Sequence, residues 1–224
     1  MWLSRLRLRK DASVAALAPL LLPDGDSARA GAAHRLMWAL FADGPERKRD
    51  FLWREAESGV FYTLSERPPV DSHGLFEVDP PKLFEPSLAV GDRLNFMLRA
   101  NATVARGSEK GKRGKPCDVV MDAIFKLAPG ERADRRRTAV EESGRAWLAK
   151  QGKRGGFAVD VREVRVPSYQ VLRVEHSGPQ ARLGVLDIEG VLTVIDPPMF
   201  TERVRAGFGR AKAFGCGLML LRRA

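Results

Sequence analysis

Residues 207–224 read Gly-Phe-Gly-Arg-Ala-Lys-Ala-Phe-Gly-Cys-Gly-Leu-Met-Leu-Leu-Arg-Arg-Ala. Two Gly-apolar-Gly pairs, Gly207/Gly209 and Gly215/Gly217, bracket the cations Arg210 and Lys212. Glycine lets backbone N–H groups approach a ligand closely and take positive φ, so a loop of this composition is suited to holding phosphate. It is not the dinucleotide fingerprint, which needs a third glycine at position 212 and a helix after the loop, and no Gly-Lys-Ser/Thr follows to make it a P-loop. The apolar run at 218–221 makes it a cationic loop entering a buried strand. The plainer reading is that four glycines only shape a tight connection into that strand.

Acid–base chemistry has three histidines to draw on, His34, His73 and His176. His73, in Asp71-Ser-His-Gly, and His176, beside Ser177-Gly178, read as exposed loop residues. His34 has a helical mount, a small-residue approach through Gly31, Ala32 and Ala33, and cationic neighbours in Arg29 and Arg35. Its plainer reading is a structural histidine at the rim of an apolar helix face. No metal site is expected: Asp24-Gly-Asp26 is a carboxylate pair without a further acidic cluster or a His-x-x-x-His, and it reads as a polar loop. RNA cleavage needs no metal. The 2′-OH attacks the adjacent phosphate if a base takes its proton, an acid protects the leaving 5′-oxygen and cations stabilise the phosphorane. A histidine titrating near neutrality serves as acid or base.

The elements that must position these groups follow from periodicity. Trp2, Leu6 and Leu8 alternate with Arg5, Arg7 and Arg9, which is a half-buried first strand. Ser27 is suited to cap a helix in which Ala33, Leu36, Met37, Leu40 and Phe41 recur at helical spacing, with a stop near residues 43–45. Strands are expected at 51–57, 59–64 and 94–104, giving a ferredoxin-like half. Residues 106–115 hold five cations, three glycines and no apolar residue, a flexible basic linker or loop. Beyond it the pattern reads as a short helix at 118–127 and a helix opened by Arg132, Arg135, Arg136 and Arg137. These arginines form either a solvated face or an RNA contact. Strands at 157–166 and 169–175, a hairpin with Arg173 and Arg182 near its tip, a strand at 183–195, a last helix and the closing strand complete a second strand-helix-strand-strand-helix-strand order.

The 224 residues allow one large or two small domains. Residues 1–90 carry 12 Lys and Arg against 13 Asp and Glu, so residues 91–224 carry 26 against 15, and the whole basic excess lies in the later part. Such asymmetry favours a polyanionic partner, most often nucleic acid. Cys117 and Cys216, far apart, fit a reducing cytoplasm and argue against structural zinc. The basic start and the Ala/Leu run at 12–22 superficially resemble a secretory signal, but Asp11 and Pro19 interrupt it. No stretch approaches the 18 or more apolar residues of a membrane span.

Five segments together resemble the CasE family, the CRISPR repeat endoribonucleases of the Cascade complex. They are the opening strand at 1–9, His34-Arg-Leu-Met-Trp-Ala-Leu-Phe41 followed by Arg49-Asp-Phe-Leu52, Phe96-Met-Leu-Arg-Ala-Asn-Ala102, the strand at 189–196 and the glycine loop. The resemblance implies an α+β fold of two tandem ferredoxin-like (RRM-like) domains. It also implies metal-independent cleavage of CRISPR precursor RNA at the base of each repeat hairpin, and retention of the product with other Cascade subunits in the cytoplasm. No cofactor and no membrane partner are expected. We divide the chain into residues 1–104, a basic linker at 105–117 and residues 118–224. The family's catalytic histidine, at the start of the first helix, matches His34. The helper tyrosine that family members can place three residues earlier is here Gly31, which leaves Arg35 or Lys212 as electrostatic support. RNA binding is expected from Arg173 and Arg182 on the hairpin, and from Gly207, Gly209, Arg210, Lys212, Gly215 and Gly217 in the loop. The alternatives are a non-catalytic guide-RNA-binding subunit of the same complex and an unrelated tandem RRM-like protein. The latter is disfavoured by the lack of an RNP-type aromatic strand.

Overall fold

The computed structural model describes residues 1–41, 44, 48–107, 114–174 and 181–224. The expected helix stop at 43–45 falls almost wholly outside these residues, as do His176 and the turn beside it.

In the first unit, β1 (Trp2–Leu8) is followed by α1 (Ala12–Leu21), α2 (Asp26–Ala39), β2 (Phe51–Glu57), β3 (Val60–Ser65), β4 (Phe76–Val78) and β5 (Lys82–Leu83). The antiparallel sheet runs β2-β3-β1-β4, with β5 also on β1. One face packs on the helices through Leu6, Leu8, Leu36, Met37, Phe51 and Trp53. The run at 12–22, weighed only as a signal, is α1, and Asp11 starts it by accepting from the Val14 N–H at 3.1 Å.

The second unit holds β6 (Arg93–Ala100), β7 (Thr103–Arg106), β8 (Lys115–Asp118), α3 (Val119–Ile124), α4 (Arg136–Arg154), β9 (Phe157–Val159), β10 (Arg165–Val174), β11 (Ala181–Val194), α5 (Pro197–Ala206) and β12 (Met219–Arg223). Its sheet runs β10-β11-β6-β12, the same order of first, second, third and fourth strands as in the first sheet. Both units therefore have the ferredoxin-like winding, although the first has no helix between β3 and β4 among its described residues. Leu94, Phe96, Leu98 and Ala100 alternate into a core shared with α3, α4 and α5.

The pairing corrects the division at residue 104. β6 is bonded along its length to β11 and β12, so the strand expected to close the first unit opens the second. The basic segment at 106–115 is accordingly no bridge between units, because its ends pair as β7 and β8 inside the second one. Two local expectations also change. The strand expected at 157–166 breaks after Val159, where the Asp160 carboxylate accepts from the Arg162 backbone N–H at 2.9 Å and turns the chain. Gly25, with φ 87°, stands at the N-cap of α2, while Ser27 lies inside the helix. No described helix is long and apolar enough to cross a membrane.

Candidate active site

The two units meet face to face. Phe51 and Trp53 of β2 enter the first core, so Leu52 between them points the other way and joins the second core with Leu64. Burying each leucine contributes about 1.5–3 kcal/mol to holding the units together. Polar ties cross the same boundary. Ser27 Oγ accepts from the Arg173 backbone N–H at 2.9 Å. With its amide turned to satisfy both neighbours, Gln170 donates to Asp26 at 2.7 Å and accepts from Arg99. Arg54, 6% exposed, approaches Asp187 at 3.6 Å, and burial lowers its pKa despite that carboxylate.

His34 lies at this boundary, half-buried on α2. Its Nδ1 is 2.8 Å from the carbonyl oxygen of Ala213 in the glycine loop, 179 residues away. A carbonyl only accepts, so Nδ1 carries the proton, and in the neutral ring Nε2 is the nitrogen with the lone pair. The Phe214 ring lies 5.4 Å from the imidazole and Trp38 meets it edge-on at 6.4 Å. Arg35 is exposed, and its guanidinium folds back along the helix, with Nη1 3.7 Å from where a Cβ at Gly31 would stand. A cleft of about 350 Å³ opens between the units; His34 does not line it, but its neighbours Ala33 and Phe214 do, with Arg29, Glu55, Arg99 and Leu172.

The loop's glycines are needed by the protein's own packing. All four have φ between 71° and 99°. A Cβ on Gly207 would meet Leu52 at 2.7 Å, one on Gly209 the Asn101 carbonyl oxygen at 2.6 Å, and one on Gly215 the Trp53 ring at 2.9 Å. Several N–H groups of the loop are taken up by protein carbonyls: Phe208 by Gly217, Arg210 by Asn101 and Gly217 by Arg99. Lys212 donates from Nζ to the Ala206 carbonyl at the end of α5, at 2.5 Å, and burial followed by Arg203 and Arg49 lowers its pKa. The loop thus clamps the two units and aims Ala213 at His34, and the Arg210 side chain is left exposed.

The remaining candidates lie apart. Arg173 and Arg182 are exposed on β10 and β11, and His73 is exposed in a first-unit loop. The arginine cluster opening α4 is partly occupied internally, with Arg132 over Phe125, Arg136 over Tyr169 and Arg137 paired with Glu141. Among the described residues no three His, Cys, Asp or Glu side chains gather as metal ligands. Sequence reasoning missed Trp53, whose Nε1–H donates to the Ala213 carbonyl at 3.2 Å, because a tryptophan in an apolar strand reads as core. It missed the carbonyl as well, since a main-chain oxygen has no residue-type signal.

Comparison with known proteins agrees with this architecture. A family model described as CRISPR associated protein matches residues 1–223. The chain is 30% identical to the CRISPR-associated endoribonuclease Cse3 of Thermus thermophilus, covering 98% of each chain. It is 29% identical to the CRISPR system Cascade subunit CasE of Escherichia coli, covering 84% of this chain and 89% of that one. Among solved structures, it is similar to Thermus thermophilus Cse3 bound to an RNA representing a pre-cleavage complex, with a TM-score of 0.66, 27% identity and coverage of 99% and 98%.

Proposed function

The chain belongs to the CRISPR-associated protein family, and from that membership we propose that it is a CRISPR repeat endoribonuclease. It cuts the precursor RNA within the repeat at the base of the hairpin and stays bound to the mature guide RNA with other Cascade subunits. The observation that carries this reading is the bond between His34 Nδ1 and the Ala213 carbonyl, which sets the imidazole's proton and orientation at the junction of the units.

In this mechanism His34 Nε2 takes the proton of the 2′-OH at the cut nucleotide. The 2′-oxygen forms a bond to the adjacent phosphorus, and the bond from phosphorus to the 5′-oxygen breaks. The leaving oxygen takes its proton from a water molecule, and the His34 imidazolium returns the 2′-OH proton to the hydroxide so formed, leaving a neutral imidazole, a 2′,3′-cyclic phosphate and a 5′-OH. Arg35, folded over Gly31, brings a cation to the helix face beside His34 and stabilises the phosphorane. Lys212 supports this charge from the turn that carries Ala213. Arg173, Arg182 and Arg210 hold RNA phosphates, and the four glycines act by shaping the loop. We place the unit boundary in the connection between β5 and β6.

Single-turnover cleavage of labelled repeat RNA in excess EDTA tests the reading. Cleavage to these two ends, abolished by a 2′-deoxy at the cut nucleotide while binding persists, is the expected result. Strict dependence on magnesium, or full cleavage of the deoxy substrate, overturns it.

A further inference from the structure

We propose that Trp53 is a positioning residue for His34, acting through the carbonyl that both side chains share. The proposal rests on the reading of His34 as the catalytic base. Ala213 O accepts from His34 Nδ1 at 2.8 Å and from Trp53 Nε1 at 3.2 Å. The oxygen's two lone pairs therefore serve one donor from α2 and one from β2.

The two donors differ in what holds them. Trp53 is 2% exposed, set in a strand and packed against Phe61 in the first core, so its N–H is a rigid anchor. His34 is half-buried at the edge of the helix. Between them the carbonyl belongs to a short 3₁₀ turn, Lys212–Phe214, flanked by left-handed residues on both sides: Ala211 at φ 52° and Gly215 at φ 75°. Ala211 is the only non-glycine with positive φ among the described residues, so the turn is held in a conformation that its own backbone preferences do not favour. Trp53 stabilises it twice, by the hydrogen bond and by the ring packed 2.9 Å from where a Cβ of Gly215 would stand. Without the indole N–H, no described side chain of the first core holds the carbonyl by hydrogen bonding except the histidine it is meant to orient. The imidazole is then freer to adopt the tautomer protonated on Nε2, in which the lone pair is on Nδ1 and turned to the loop.

The test is Trp53→Phe, which removes the N–H and keeps an aromatic ring. A second variant, with Trp53 replaced by its benzothiophene isostere, keeps the full bicyclic shape if the smaller ring unsettles the fold. ¹⁵N-histidine spectra report the His34 tautomer directly, because three histidines are readily assigned with His34→Ala as reference. We expect the fraction protonated on Nδ1 to fall and single-turnover cleavage to slow by about tenfold, within the roughly 10²-fold that a 1 Å misplacement can cost. RNA affinity should be unchanged. An unchanged tautomer in either folded variant overturns the proposal, whatever the rate does. A shifted tautomer with unaltered cleavage supports the positioning role and instead removes the catalytic role from His34.

Discussion

Arg173 on β10 and Arg182 on β11 stand directly opposite each other in the antiparallel ladder, both exposed, with no carboxylate paired to either among the described residues. Like charges in that relation are destabilising by an amount comparable to the roughly 0.2–1 kcal/mol of a favourable cross-strand pair. In the proposed RNA-binding role, a phosphate placed between them would turn this cost into binding energy.

Arg182→Ala should therefore leave thermal stability unchanged or slightly raised while weakening RNA binding. Each lost phosphate contact should reduce the log–log salt slope of binding by about 0.7–0.9. Titrations across salt concentrations, beside a melting curve, check both halves. An unaltered slope would place the RNA elsewhere.

His34→Ala should slow single-turnover cleavage by about 10² to 10⁴, the range of general acid–base help. Binding should persist, because the basic excess lies after residue 90. If a folded His34→Ala protein cleaves normally, another group is the base; if the unmutated protein itself does not cleave, a passive RNA-holding subunit is the better description.

Gly209→Ala probes the packing of the glycine loop inside the second unit apart from the chemistry. The residue sits at φ 71°, and the new Cβ would come within 2.6 Å of the Asn101 carbonyl oxygen. Strain at such a φ alone costs about 1–3 kcal/mol. A clear drop in melting temperature is expected, whereas Arg210→Ala, with its side chain exposed, should lower RNA affinity and leave melting unchanged.

Cys216 gives a pH dependence with a definite sign. Burial first, and Asp187 after it, push the thiol up to about 12 from an ordinary value of 9.0. Above about pH 9 the unfolded chain releases this proton and the folded one keeps it, so stability falls as pH rises towards the folded value. The slope is about 1.4 kcal/mol per pH unit. Urea melts between neutral and alkaline pH should show Cys216→Ala lacking this component, with the gap between the two proteins changing only on the alkaline side.

Whatever depends on local period and composition is legible in the residues alone. The half-buried β1, the pair β2 and β3, the helix bearing His34, the last helix and the closing strand follow from spacings of two and 3.6. The basic excess and the glycine pattern are equally legible. The folded packing alone assigned β6 to its sheet, since its alternation is satisfied by either core and its pairing partners lie far away in the chain. It also decided what the glycines do. Their spacing is compatible with cradling a phosphate or with close packing, and the contacts to Leu52, Asn101 and Trp53 that settle their packing role come from both units. Last, it decided how His34 is held: two donors, 179 and 160 residues from Ala213 in the chain, converge on a main-chain oxygen that carries no residue-type signal.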